Sequence, residues 1–318
     1  MAALLTLTDV KVGLVDDLQK GVIDELVHSN YLMERIGFEP VASLVGGGGG
    51  WTYAYDKVKE EATSEFRDIN GKYTDSVATM VRKSVDLKIL GGSFSIDRAL
   101  RDTGGAIEQT TFQMQQKIKA IKANFCNAII NGSVAGSALQ FDGLNALLTG
   151  SSTEVIAKGT GIDLSTFALT KSNAEEFITI MDEFLAGLNE KPDVLLMNSK
   201  TLAKVKAIAK LVGLHQITQD SVGRTVDNYD GIALVDLGEY NSKPVVEINS
   251  NGETSIFAVK FGPQAFHAIS PAGAQLVDVI APDFTLAQEQ ARGLVELRAA
   301  VVLKHSKSCG VLRKIKVK

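Results

Sequence analysis

Apolar residues in this chain recur with two periods, and the switches between them mark out its segments. From residue 9 to 36 Val15, Leu18, Val22 and Leu26 fall three and four apart, the rhythm of an amphipathic helix. Such a helix could pack into the core or dock on a neighbouring copy. Residues 105–131 carry the same rhythm more fully, with Ile107, Met114, Ile118, Ile121, Phe125 and Ile129 in one stripe. Gly104-Gly105 stand ahead of this stripe and Gly132 follows it, as helix ends prefer. At 1.5 Å per residue the helix would be about 40 Å long, with Lys117, Lys119 and Lys122 off its apolar face.

Between these stretches the period changes to two, and residues 51–90 predict a long β-hairpin. Val77, Thr79, Val81, Val85, Leu87 and Ile89 share one face, with Lys83 the exception. Ala78, Met80, Arg82, Ser84, Asp86 and Lys88 share the other. Asn70-Gly71 between the arms predicts a type I′ turn, in which both central residues need positive φ. The first arm, Trp51 to Ile69, alternates less cleanly, and ten of the twenty residues from Asp56 to Asp75 are charged. Arms of about 18 residues would reach roughly 60 Å, and two strands alone are marginal in water. Either another surface covers the hairpin or both arms join a larger sheet of the same chain.

The second half predicts α/β structure. Residues 133–165 read as surface loop with one buried anchor, Phe141-Asp142-Gly143-Leu144. Ser172 and Glu175 make a capping-box pattern ahead of Phe177, Ile178, Met181, Phe184, Leu185 and Leu188. A buried strand at 194–197 and a helix over 199–212 follow, then a polar loop over 213–230 and a strand at 231–235. Further strands are expected at 254–261, 265–270, 274–280 and 294–305. The tail is basic, with Lys304, Lys307, Arg313, Lys314, Lys316 and Lys318, and there is no acid after Glu296. A nucleic-acid patch is one reading; a solvated edge, or a counterpart for the acidic hairpin tip, is the other and suits the acidic whole.

Composition narrows the function classes. The 318 residues are 45% hydrophobic and 22% charged, enough for one large or two ordinary folded domains. A net charge of -4 argues against a chain whose main affinity is for phosphate backbones. Cys126 and Cys309 make neither a disulfide framework nor a zinc motif, which suggests a reducing compartment. No apolar run approaches the roughly 18 residues of a membrane span, and the start MAALLTLTDVKVG does not read as a signal peptide. The histidines His28, His215, His267 and His305 form no metal-binding pair. Gly46–Gly50 lead into a β-prone segment with no lysine and hydroxyl at phosphate-loop offsets, so they read as a hinge. Gly91-Gly92-Ser93-Phe94-Ser95 lacks the second glycine of a nucleophile elbow. No catalytic residue, cofactor site or metal site is expected.

In order and spacing these segments resemble the major capsid proteins of tailed bacteriophages, the Hong Kong 97-type fold shared with encapsulin shells. The resemblance rests on Ile89 to Arg98 (ILGGSFSIDR) closing the hairpin, Phe141 to Leu144 after the long helix, Asn228 to Asp236 (NYDGIALVD), Ile256 to Gly262 (IFAVKFG) and the closing strand. It implies an α+β fold with an N-terminal arm at 1–45 and an extended hairpin, the E-loop, at 46–95. A peripheral domain with a long spine helix would span 96–165, an α/β axial domain 166–270, and peripheral return strands 271–318. The implied function is a structural, non-enzymatic capsid protein that assembles through pentamers and hexamers into an icosahedral virion shell around double-stranded DNA. An encapsulin-like compartment holding cargo protein is the alternative. Implied partners are other copies, a portal, a separate scaffolding protein, a possible decoration protein and DNA bound without sequence specificity, with no membrane. Assembly would take place in the cytoplasm of a bacterial host. On the hairpin, Trp51, Tyr53, Arg67, Asp68, Arg82 and Asp86 are the candidates for contacts between subunits. Lys57, Lys59 and Lys72 could supply amines for isopeptide crosslinks, although a long hairpin carries lysines for solubility in any case. Glycines 46–50 and 91–92 would serve as hinges.

Overall fold

The computed structural model describes residues 31–41, 50–60, 62–97, 106–165, 171–213, 215–219, 225–241, 243–271, 277–285 and 288–318. The helix expected over 9–36 falls outside them except for its last turn, α1 (Tyr31–Arg35), and so do Gly46 to Gly49 of the glycine run.

Two sheets organise the chain. The first is built on β16 (Gln290–Leu303), which pairs along one edge with β4 (Lys88–Asp97) over its first ten residues. Along its other edge it pairs with β15 (Val277–Ile280), and its last residues pair with β14 (Phe266–Pro271), which carries the parallel strand β1 (Phe38–Val41). The second sheet runs in the order β5 (Glu154–Ile156), β17 (Cys309–Lys316), β13 (Glu253–Val259), β7 (Val194–Met197), β10 (Ile232–Asp236), β9 (Thr225–Tyr229), β8 (His215–Gln219). A short β6 (Ile162–Asp163) also pairs with β17.

Both faces of this second sheet are covered, which is why β7 is apolar at every position. Val194 and Leu196 enter the core shared with the first sheet. Leu195 and Met197 face a second core under α4 (Lys171–Ala186) and α5 (Ser199–Val212). α5 starts where Asn198 accepts the Thr201 N–H, and it ends at Gly213 with φ 83°, a left-handed cap.

The predicted long helix is α2 (Ala106–Asn131). Met114, Ile118, Ile121, Phe125 and Ile129 of its stripe are buried, joined by Cys126 and Ile130. After Gly132 the chain folds back over the helix end. The Gly143 N–H donates to the Gly132 carbonyl (2.8 Å), Asp142 accepts the Val134 N–H (2.8 Å), and Phe141 meets Phe125 edge-on with ring centroids 5.9 Å apart. Leu144 opens the buried short helix α3 (Leu144–Leu148). The buried anchor of the sequence is therefore a crossing of backbone over a helix terminus.

Several expectations change. The stretch 133–165 is not only loop, since it supplies α3, β5 and β6. The polar stretch 213–230 contains the antiparallel hairpin β8–β9, whose strands extend the second sheet and need no apolar run at its edge. Ser172 lies inside α4 instead of capping it. Gly91 and Gly92 are ladder positions of β4, paired with Glu296 and Val295, so they are not a loop hinge. The basic tail is strand β17, in which Cys309, Val311, Leu312 and Ile315 are buried. Its bases meet carboxylates of the same chain: Arg313 with Glu154, and Lys316 with Asp163 at 3.1 Å.

A Cβ at position 143 would stand 2.5 Å from the Ala128 carbonyl oxygen and 2.8 Å from that of Ile129. Gly143→Ala should therefore cost about 1–3 kcal/mol through forced separation of the crossing, read as a lower denaturation midpoint at unchanged slope.

Candidate assembly surface

The hairpin pairs β2 (Thr52–Glu60) with β3 (Thr79–Asp86), which form a two-stranded sheet of their own. They do not join a larger sheet; β4 takes over after Leu87 and enters the first sheet. Regular strand is thus shorter than the sequence suggested. Beyond Glu60 and before Thr79 the arms are held by side chains: Ser76 accepts the Thr63 N–H and donates to its carbonyl (both 2.9 Å), and Glu65 accepts the Thr74 N–H.

The turn also differs from the predicted type I′. The Gly71 N–H donates to the Asp68 carbonyl (3.0 Å), so Ile69 and Asn70 are the central residues, and Asn70 (φ 69°) takes the left-handed conformation of a type II turn. Between root and tip a bulge between Val58 and Glu60 shifts the register by one residue.

Nearer the body, Tyr53, Tyr55 and Lys57 stand opposite Val85, Lys83 and Val81 on one face. Beyond the bulge the Thr63–Ser76 bonds hold the arms across from each other without a regular ladder. The root therefore packs on the body, and the outer half of the hairpin is exposed. Phe66 is fully exposed, Ile69 is 87% and Val77 80% exposed.

At the root the three inward side chains of β2 hold successive points of the body. The Tyr53 hydroxyl donates to Glu39 Oε2 (2.8 Å), the Tyr55 hydroxyl to the Leu303 carbonyl (3.2 Å), and Lys57 Nζ to Ser306 Oγ (2.9 Å). They line an open cleft of about 710 Å³ together with Lys304, His305 and Lys307. Glu39 Oε2 also accepts from Lys304 Nζ (3.2 Å), whose ammonium lies 5.4 Å from the Tyr53 ring centroid. His267, 1% exposed, meets the Tyr53 ring edge-on, and its Nε2 is 3.2 Å from Glu39 Oε2 but out of line for a hydrogen bond.

Burial would raise the Glu39 pKa, yet the hydrogen bonds from Tyr53 and Lys304 hold it below its usual value. Burial pushes His267 down, against the pull of Glu39. Lys57 is lowered by burial and then by Lys83, and Tyr55 is raised by burial.

Of the predicted contact residues, Tyr53 belongs to this root, and Trp51, Arg67, Asp68, Arg82 and Asp86 are exposed. Arg67 donates to the Gly71 carbonyl and lies 5.2 Å from the Tyr73 ring centroid. Asp86 accepts from the Thr52 hydroxyl, and Arg82 stands across from Asp56. The structure thus places Arg67 and Asp68 at the tip and Trp51 and Asp86 at the root. Sequence reasoning did not bring Glu39, His267 and Lys304 together, since they come from three distant segments; in sequence Lys304 reads only as part of the basic tail and His267 only as a lone histidine. The Tyr53, Tyr55, Lys57 alternation was the available signal for the root.

His267 is neutral in the closed root, with a pKa below its usual 6.5, so its contribution is complete above about pH 6.5 and declines as pH falls toward the lowered value. Glu39 contributes above its usual 4.5 and loses that contribution as pH falls further. Thermal stability should therefore drop on acidification from pH 7, and His267→Gln should flatten the pH 7 to 5 limb while leaving the lower one. Tyr53→Phe should cost roughly 1–2 kcal/mol at pH 7 by removing a donor to a charged, part-buried carboxylate.

No family model matches this chain, and no curated protein matches it in sequence. Solved structures do. The encapsulin chain of the holo-SrpI complex from Synechococcus elongatus PCC 7942 superposes with a TM-score of 0.62 at 14% identity, over 92% of this chain and 89% of that one. A native GTA particle capsid gives 0.59 at 14% identity, over 89% of each chain. A structure from Mycobacterium phage Bobi gives 0.56 at 11%, over 92% of this chain and 93% of that one. With the long helix, the projecting hairpin and the two interlocked sheets matched over nearly the whole length, this chain has the Hong Kong 97-type fold.

Proposed function

We propose that this protein is a structural subunit of a closed shell, built from rings of five and six copies in which each hairpin lies across a neighbouring subunit. The observation that carries this reading is the outer half of the hairpin, where Phe66, Ile69, Tyr73 and Val77 lie close together in sequence and are left exposed by the described residues. Contiguous exposed apolar surface of this kind marks an interaction site. Sequence resemblance to capsid proteins and structural likeness to capsid and encapsulin chains point the same way.

Between contents, the favoured reading is double-stranded DNA in a phage-type capsid, with a portal and a separate scaffolding protein as further components. An acidic chain in which tail bases such as Arg313 and Lys316 are paired internally suits a wall that does not hold a phosphate polymer tightly. The likeness to the SrpI encapsulin favours a second reading, a compartment for protein cargo. Particles purified from an expressing host separate the two: nuclease-protected DNA supports the first, co-purifying protein without DNA the second.

Purified at high concentration, the protein should sediment as large particles with icosahedral outlines in electron micrographs. A monomer at every concentration and salt tried would overturn the shell reading. Phe66→Asp combined with Tyr73→Asp should abolish particles while shifting monomer stability by no more than about 0.5 kcal/mol, because both side chains are exposed.

A further inference from the structure

The cleft at the hairpin root gathers more positive charge than the chain neutralises. It opens between β2 and the turn that joins β16 to β17, with a volume of about 710 Å³. Lys57 lines it from the hairpin, and Lys304 and Lys307 from the turn, with Ser306, Asn189 and Gln264 beside them. Lys83 stands opposite Tyr55 and so shares this inward face of the ribbon. It is the charge that interrupts the apolar alternation of the second arm.

Carboxylates do not balance these groups. Glu39 is committed to Lys304. The one acid among the described lining residues, Asp56, alternates to the outer face of β2, where it stands across from Arg82. Among the described residues no ion pair holds Lys57, Lys83 or Lys307. Lys57, half-buried, donates to a neutral partner, Ser306 Oγ at 2.9 Å. Burial and then the Lys83 charge lower its pKa, as they do for an ammonium left without a counter-ion.

We propose that this cleft is a binding site for a compact, multiply charged phosphate anion, held between Lys57 and Lys83 on the hairpin and Lys307 on the body. The site is complete within one chain and stands apart from the shell reading. Donor chemistry selects the ligand class. An ammonium offers three donors and no acceptor, and the Ser306 hydroxyl and two side-chain amides can donate as well, so the ligand must be rich in acceptors. Phosphate oxygens accept in many directions and carry the charge that several lysines together require. The volume lies within the roughly 300–1,000 Å³ of small-ligand sites and leaves room for two or three linked phosphates. The receiving turn is already set, so little order has to be imposed on binding. The Lys304 N–H donates to the Ala265 carbonyl, the Asn189 N–H to the Lys307 carbonyl and the Ser308 N–H to the His305 carbonyl, each at 3.1 Å. Because the anion touches hairpin and body at once, its binding stabilises the docked root by mass action.

The test is titration of the purified full-length chain with sodium tripolyphosphate. Calorimetry should show one saturable site per chain, and the anion should raise the thermal midpoint. Raising KCl from about 50 to about 200 mM should weaken binding several-fold. Lys57→Gln with Lys307→Gln should weaken it about tenfold or more. Lys200→Gln with Lys210→Gln, which removes equal charge from exposed positions on α5, should leave it unchanged. A second measurement needs no variant: on the unmodified chain, tripolyphosphate should slow acetylation of Lys57, Lys83 and Lys307 but not of Lys200, read by mass spectrometry. Absence of saturable binding overturns the proposal, as does equal loss in the two double variants or equal protection of Lys200. A short DNA duplex that binds as tightly as tripolyphosphate and competes with it also overturns the compact ligand, in favour of a phosphate backbone. None of these results bears on particle formation, which tests the shell reading separately.

Discussion

The hairpin is positioned by one small polar assembly: the Glu39 carboxylate, which accepts from Tyr53 and Lys304 beside a buried neutral His267. A carboxylate taken out of water is costly unless it is paired and hydrogen-bonded, and here both donors come from elements that must be held together. Glu39 sits on β1, Lys304 follows the end of β16, and Tyr53 is on the hairpin itself. Satisfying the charge thus fixes the angle at which β2 leaves the body. Tyr55 and Lys57 repeat the grip two and four residues on, as the strand period requires.

A two-stranded ribbon is too thin to bury a core of its own, so its faces show where it expects company. The inner half is covered through Tyr53, Tyr55 and Lys57, which hold the body. Beyond the bulge after Val58, Phe66, Ile69, Tyr73 and Val77 are left exposed by the described residues.

Legibility in the sequence followed the same physics. The long helix was readable residue by residue because six apolar positions hold one phase between glycines. The outer hairpin was not, because side-chain bonds instead of a regular ladder hold its arms. In β17 a slip of register broke the alternation. Lys314 takes a positive φ (59°), the pairing with β13 slips by one residue there, and inward positions run Leu312, Ile315, Val317 instead of alternating strictly. Charge then drew attention to Arg313, Lys314 and Lys316, and the buried strand between them went unread. The root network was beyond reach for a different reason: Glu39, His267 and Lys304 are ordinary residues until the fold makes them neighbours.

The internal pairing of bases changes what the tail can mean. A run of cations with no acids near them in sequence suggests an open positive field, but fields are set in space. Arg313 meets Glu154 across a parallel strand pair, and Lys316 meets Asp163, whose pKa falls to about 2 chiefly through its hydrogen bonds with Ser165, aided by Lys316. Lys304 is committed to Glu39, and Lys260 to Asp193. The more exposed of these pairs, Lys316 with Asp163 and Lys260 with Asp193, add little stability each. The larger effect of the tail pairs is to cancel the field of Arg313 and Lys316, while Lys314 and Lys318 stay exposed. The basic tail is therefore a buried strand with part of its charge neutralised within the fold, not an open run of cations.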